Sequence, residues 1–479
     1  MGGEKRMKLK FKRILSLVLV FSMLFSMTAC SSGASNTGLS DPNPQVEVEN
    51  IETENIIMNE NLLQFAWQCK LFKSNIMHTT DGRDVEIIDV GQPNKDAGPD
   101  FFNAKIKLED TIWAGNVEIH TLASDWYRHH HDIDKLYDTI ILHVVWKSDL
   151  NIRRSSGELI PQVELQLMDE VEDRFNSMHQ SNGWIRCGAL WQDIDSAFAR
   201  FQLSRMVNER LYRKAEDVGK ILAMNTNNWS ETFYQVLLKS FGMHTNSLPF
   251  ESLGKSLPLK CIAKKKDDIL AVEAMLFGQA GLLSEKSIDT YERSLYQQYQ
   301  FLSKMFSLKA IDTTLWKFGK MRPVNFPHVK IAQFASLAQK SNHLFSQIIR
   351  CKDLTEIQSH FDCTPSDYWH THYRFGTVSP FSEKRITKTS INTLIINAVV
   401  PLKFAYAIKN ENDEMQDDCF SLLEQIPKED NKIVRGWEEL GLRVTNAYES
   451  QALVELKTQY CDVNKCLRCN IGHHLLSQK

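Results

Sequence analysis

Gly98-Pro99-Asp100-Phe101-Phe102-Asn103-Ala104-Lys105-Ile106-Lys107-Leu108-Glu109-Asp110 and, after Thr111 and Ile112, Trp113-Ala114-Gly115-Asn116-Val117-Glu118-Ile119-His120 form the stretch on which the fold turns. Phe102, Ala104, Ile106 and Leu108 alternate with Asn103, Lys105, Lys107 and Glu109, the period of a strand with one buried face. The alternation resumes beyond Asp110, with Trp113, Gly115, Val117 and Ile119 set against Asn116, Glu118 and His120, so two strands joined by a turn are expected. Residues two apart on a strand share a face at about 7 Å spacing, so Glu118 and His120 project together. Hairpin pairing brings Asp100 level with them. A divalent cation needs converging oxygens and open positions for water and substrate. Asp100 and Glu118 offer the oxygens, and His120 can orient or deprotonate a water. Register decides the matter. A two-residue turn at Glu109 and Asp110 sets Asp100 opposite Ile119, on the wrong face, whereas a three-residue loop or a bulge restores alignment with Glu118 or His120.

Working outward, residues 60–72 carry Leu62, Leu63, Phe65, Ala66 and Trp67, dense enough for a buried helix. Val85 to Val90 reads as a strand ending in Gly91, and Gln92 to Pro99 is turn chemistry. Ser124 and Asp125 can cap a helix over roughly Trp126 to Leu136. Thr139 to Trp146 is a continuous apolar run, a strand buried on both faces, and Leu159 to Leu167 reads as another strand. The order over residues 58–192 is helix, three strands, helix, strand, strand: an α/β domain. From about residue 193 to 479 helical patterns dominate, at Phe198–Val218, Trp229–Phe241, Ala271–Phe277, Thr290–Phe306, Ile331–Ile349, Ile391–Lys409 and Val444–Tyr460. A mainly α-helical carboxyl-terminal domain is expected there.

A hydrophobic fraction of 43% and a charged fraction of 24% over 479 residues are ordinary for a globular chain with ample core. A formal net charge of −3 predicts no global attraction to nucleic acid. Binding would need a local basic patch, for which Lys264, Lys265 and Lys266, with Lys255 and Lys260 nearby, are candidates. The amino terminus is different in kind. Lys5, Arg6, Lys8, Lys10, Lys12 and Arg13 precede an uncharged run from Ile14 to Met27, then Thr28, Ala29 and Cys30, the order of a signal peptide over residues 1–30. Met-Thr-Ala-Cys resembles a lipobox, which implies lipidation at Cys30 and a membrane-anchored extracytoplasmic lipoprotein. Residues 31–57 are polar and aperiodic and read as a flexible tether. Nine cysteines beyond Cys30 are an odd number and no disulfide framework. They favour the alternative of a cytoplasmic protein starting near Met58.

Two further constellations can hold metal. Trp126-Tyr127-Arg128-His129-His130-His131-Asp132-Ile133-Asp134 leads to Tyr137-Asp138 and Leu142-His143. His120, His131, Asp134 and His143 can make one zinc or iron sphere with Glu118 as its base, or His143 is a satisfied core histidine and the histidine run is exposed. Adjacent histidines point different ways, so the three cannot all be ligands. At the other end Cys461, Cys466 and Cys469 are spaced to share zinc or an iron–sulfur cluster, one ligand short, with Cys187 or His473 to complete it. The bland reading is packing at a helix end. Cys69, Cys261, Cys351, Cys363 and Cys419 read as apolar fillers.

Pro99-Asp100 and Glu118-Ile119-His120, in the order helix, three strands, helix, strand, resemble the PD-(D/E)XK nuclease-like superfamily. That resemblance implies a restriction-endonuclease-like mixed sheet, Mg²⁺ or Mn²⁺ on Asp100 and Glu118, and Glu60 as an extra ligand. His120 stands where that pattern has Lys, the residue that helps position the attacking water. On a larger scale, Asn61 to Trp67, Asp96 to Ala104, Gly115 to His120, Ser124 to Trp126 and Ile141 to Val145 resemble a bacterial family catalogued as domain of unknown function 2851. Arg322 to Pro327 and Cys466 to Gly472 look like it too, so the likeness runs from Met58 to Leu476. It implies relatives rather than an activity. Three functions follow: a metal-dependent phosphodiester hydrolase acting on nucleic acid, a non-catalytic scaffold or binding protein with a cysteine-bound metal, and a histidine-rich metal hydrolase.

Overall fold

A computed structural model describes residues 58–94, 97–181, 183–341 and 343–477. The signal peptide, Cys30 and the tether expected over residues 1–57 lie outside the described residues. Helix α1 (Glu60–Cys69) begins where the Asn59 side chain accepts the Leu62 N–H and buries Leu62, Leu63, Phe65, Ala66 and Trp67. It stops three residues before Phe72 because Lys70 turns left-handed at φ 52°, its N–H closing onto Ala66 and Trp67.

Seven strands form the main sheet: β1 (Ile76–His78), β2 (Asp84–Asp89), β3 (Gln92–Pro93), β4 (Phe101–Leu108), β5 (Thr111–Leu122), β6 (Ile140–Lys147) and β7 (Gln162–Glu164). The order is β1-β2-β4-β5-β6-β7, with β3 also paired to β4. Pairing is antiparallel from β1 to β5 and parallel for β5–β6 and β6–β7, so the sheet is mixed. Ile140 to Val145 are all buried, as a strand covered on both faces must be. Gly115 lets β6 come close: a Cβ there would lie 2.3 Å from Cγ2 of Ile141 and 2.9 Å from the Thr139 carbonyl.

The hairpin resolves the register question in two steps. Leu108 faces Thr111, so the turn is the two-residue one at Glu109 and Asp110, with Glu109 at φ 53°. That register holds to Ala104 opposite Gly115 and then shifts, leaving Phe101 opposite Val117. The irregularity includes Asn103 at φ 57°, a residue type that tolerates the left-handed region. The bulge exchanges the faces beyond it. Phe101, not Phe102, is buried, and Asp100 comes level with Glu118.

Two elements differ from expectation. The helix foreseen over Trp126–Leu136 is one turn, α2 (Asp125–Arg128), because His130 adopts φ 62° and breaks it. The chain then re-forms a 3-10 turn at Lys135–Tyr137, capped by Asp134. The strand foreseen over Leu159–Leu167 is regular only in β7, just after Pro161, which has no N–H to give a ladder. Helix α3 (Asp169–Gln180) follows.

The remainder is mainly helical. α4 (Ser196–Met224) is the longest helix, and the expected Trp229–Phe241 and Thr290–Phe306 helices appear with those bounds. The Ile331–Ile349 pattern is split into Pro327–Lys340 and Leu344–Arg350 by His343 at φ 54°. Helices such as Asp413–Gln425, polar on most of their surface, were not legible as periodic runs. Among the described residues one helical stretch, Lys388–Lys409, is long and apolar enough to cross a membrane, yet 72% of that window is buried in the protein. Its apolarity serves the core. The larger of two hydrophobic clusters draws on residues from Leu62 to Leu476, and a smaller one gathers around Trp126, Tyr137 and Ile140. Helix Ala447–Leu456 packs along α4, where Glu455 meets Arg210 at 3.2 Å and Arg213 at 2.5 Å, and helix Asn470–Ser477 packs on α3.

Candidate metal centre

The bulge in β4 and the middle of β5 put two carboxylates in direct register. The Asp100 N–H donates to Oε2 of Glu118 at 3.0 Å, and Oδ2 of Asp100 accepts the Ile119 N–H at 3.0 Å. From α1, the amide of Gln64 donates to Oδ1 of Asp100 at 2.9 Å and to Oε1 of Glu60 at 3.1 Å. Glu60 and Gln64 are one helical turn apart, so both reach the same spot. Three acids therefore converge. The near neighbours of Oε1 of Glu118 are imidazoles: Nε2 of His131 at 3.3 Å and Nε2 of His120 at 3.6 Å.

Such crowding has an electrostatic signature. Burial, then the charges of Glu118 and Glu60, push the Asp100 carboxyl up to about 8, against the bonds from Ile119 and Gln64. Burial pushes Glu118 up to about 8 as well, with the charge of Glu60 adding to it. Burial raises Glu60, while His129 and His131 pull it back. The group titrates as a unit, and each ionised member makes the next more costly. A cation removes that cost.

Behind the acids runs a chain of imidazoles. Nε2 of Gln162 donates to Ser148 at 2.6 Å and to the Leu150 carbonyl at 3.3 Å, which turns its Oε1 toward Nδ1 of His143 at 3.0 Å. This pattern assigns the proton to Nδ1 of His143 and leaves its Nε2 to accept from Nδ1 of His120 at 2.8 Å. Nε2 of His120 then carries a lone pair toward Glu118 and toward Nδ1 of His129, 3.2 Å away. Burial, then the neighbouring imidazoles, hold His120 down to about 2 and His143 to about 4, so both are neutral at physiological pH. A neutral imidazole fixed by an outer hydrogen bond is the form that ligates metal.

The left-handed His130 explains which of the three consecutive histidines take part. His131 turns back to the sheet half-buried, and His129, though exposed, brings Nδ1 within 3.2 Å of Nε2 of His120, while His130 is exposed and has no place in the group. Ligand atoms of His120, His129 and His131 all lie within 4.8 Å of one another. His131 is held by stacking on Tyr137, ring centroids 3.8 Å apart. The four residues grouped from sequence as a histidine-rich sphere thus separate. His120 and His131 are at the centre, His143 sits behind His120 with both nitrogens engaged, and Asp134 is exposed and accepts the Leu136 N–H. His129, Gln64 and Gln162 were not singled out as site residues. The one-turn spacing from Glu60 was the available signal for Gln64; nothing local marks Gln162. Lys264, in the basic run, lies over the Phe306 ring at 5.7 Å. Cys187, Cys461, Cys466 and Cys469 lie outside this centre and gather around a pocket of their own.

His143 acts on this centre through His120 and is a positioning residue. His143→Phe removes the acceptor for Nδ1 of His120 and is expected to weaken Mn²⁺ binding about 10–100-fold. His143→Gln, whose amide oxygen can still accept that proton, should keep most of the affinity. Equal losses in titration calorimetry would mean that the ring matters only for packing.

The fold and centre define a mixed-sheet α/β protein with a helical carboxyl-terminal half and a buried carboxylate–histidine cluster. The chain belongs to the family described as Protein of unknown function (DUF2851), whose profile matches residues 60–432. The match opens at α1, takes in the whole centre and the Arg322–Pro327 run, and ends before Cys461. No curated protein and no solved structure matches the chain.

Proposed function

We propose that this protein is a metal-dependent phosphodiester hydrolase acting on nucleic acid, with a restriction-endonuclease-like arrangement of its sheet. The observation that carries the reading is the convergence of Glu60, Asp100 and Glu118 beside the lone pair of His120. The element order supports it: α1, then β2, β4 and β5 in antiparallel succession, then α2, then β6 parallel to β5. This is the order that the nuclease resemblance implies.

The donor set fits a divalent cation, because three clustered acids whose partners are amides and imidazoles lack a fixed positive charge of their own. Bound Mg²⁺ or Mn²⁺ supplies charge neutralisation and Lewis acidity at the phosphate. Asp100, Glu118 and Glu60 would hold it. His120 orients the attacking water by accepting a hydrogen bond at Nε2, and does not keep the proton, since an imidazolium there would sit buried among other imidazoles. Water adds to phosphorus, one P–O ester bond breaks, the water proton leaves to solvent and the departing oxygen gains one.

The clustering of His120, His129 and His131 favours a second reading, a hydrolase of small substrates built on tightly held zinc or iron with Glu118 as base. Metal content and substrate separate the two. The full chain, stripped of metal, is assayed on single- and double-stranded DNA and RNA with Mg²⁺ or Mn²⁺ restored. Cleavage that returns with either cation supports the first reading. A metal that co-purifies stoichiometrically and is lost in His131→Ala, with no nucleic-acid cleavage, supports the second.

A further inference from the structure

Cys187 follows the α/β unit, whereas Cys461, Cys466 and Cys469 belong to the last twenty residues of the chain. Folding brings all four around one small pocket, lined also by Met178, Arg186, Tyr460 and Gly472. None is in a disulfide. The other five described cysteines, including Cys261, Cys363 and Cys419, contribute nothing to this pocket.

We propose that Cys187, Cys461, Cys466 and Cys469 hold an iron–sulfur cluster that fastens the carboxyl terminus to the α/β unit. Four thiolates are the ligand set of such a cluster, and three at C-x4-C-x2-C spacing with a fourth remote in sequence is one of its known patterns. A structural zinc site more often takes its cysteines as two close pairs. Here the split is three and one.

The local backbone is built for it. Cys469 immediately precedes helix Asn470–Ser477, and the N–H groups of Ile471 and Gly472 point at its sulfur, where a helix start favours negative charge. Gly472 permits the fold-back of that helix onto the Cys466 turn, since a Cβ would lie 2.2 Å from the Cys466 carbonyl. A cation lies near each carboxyl-terminal cysteine: Lys457, also paired with Asp462, near Cys461, Arg186 near Cys466, and Arg205, also paired with Glu209, near Cys469. Four thiols lose their protons on ligation, and these cations offset part of the charge that results.

The cluster would also brace the carboxylate centre. The turn at Cys466–Arg468 packs on α1, the His473 ring meets Phe65 edge-on at 5.0 Å, and Nε2 of His473 lies 3.1 Å from the Cys69 sulfur. Residues Phe65 and Cys69 share α1 with Glu60 and Gln64. The cluster itself is independent of any cleavage activity.

The test is metal analysis of the full chain, produced with iron and purified without oxygen. The expected protein is brown, with thiolate-to-iron charge-transfer absorption and iron and acid-labile sulfide in equal amounts. Cys466→Ser and Cys469→Ser should each lose both, while Cys261→Ser keeps them. The wild-type content decides even where a variant fails to fold. Colourless protein holding one zinc per chain overturns the cluster in favour of a zinc site, and protein with neither metal overturns the site altogether.

Discussion

Glu118→Gln is expected to lower metal-dependent cleavage on the order of 10²–10⁴-fold while making the metal-free protein more stable at pH 8. The two effects share one cause. Oε2 of Glu118 accepts the Asp100 N–H, a bond the Gln oxygen reproduces, and Oε1 faces His131, where the amide nitrogen can sit. The hydrogen bonds survive, and one buried negative charge beside Asp100 and Glu60 is removed. In the absence of metal that charge is a cost, so its loss gains on the order of 1 kcal/mol at pH 8. Asp100→Asn should lose as much activity with less gain in stability. Both oxygens of Asp100 accept hydrogen bonds, and Asn offers only one acceptor. Thermal melts and cleavage assays at one pH separate the roles. Full activity in either variant, on every nucleic-acid form tested, ends the hydrolase reading; a stability loss in Glu118→Gln would mean that the acid serves the fold.

The second large effect is a pH-dependent response to metal. Unfolded carboxyls titrate near 4, and the folded centre raises Asp100 and Glu118 to about 8. The native state therefore binds these protons more tightly than the unfolded chain does. Their stabilisation is complete below about pH 4 and is lost as pH rises through 8. His120, His131 and His143 are shifted the opposite way, so below about pH 6.5 their reluctance to protonate costs stability too. Between about pH 6.5 and 8 these histidines no longer oppose the carboxyl effect, and metal-free protein should lose on the order of 2 kcal/mol across that window. Mn²⁺ takes the place of the protons. The rise in melting temperature it produces should grow steadily from pH 6.5 to 8. A metal-induced shift that is flat with pH would place the bound cation away from these acids.

The hairpin shows how far the sequence alone reaches into this centre. Alternation located both strands, put Glu118 and His120 on one face, and named a bulge as one way to bring Asp100 level. Whether the bulge occurs depends on burying Phe101 rather than Phe102 and on the bonds between Asp100 and the Glu118–Ile119 segment, which are long-range terms. The histidine run was visible as a group of possible ligands. Its partition was not, because the left-handed turn at His130 ends the helix after one turn, and Ser124, the expected cap, makes no side-chain cap bond. Gln162 was invisible for another reason: its role is defined by His143, nineteen residues earlier in the chain.

Local covalent geometry thus determined a good deal by itself. A period of two makes a strand whatever it pairs with, apolar residues at helical spacing mark α1 and the long carboxyl-terminal helices, and Asn and Asp caps start many of them. Tertiary structure decided convergence. It set Glu60 against Asp100, turned His131 onto Glu118 and His129 onto His120, and carried Cys187 to the carboxyl-terminal cysteines. These placements depend on packing segments remote in sequence into shared hydrophobic clusters, and no periodicity within a single segment encodes a distance to another.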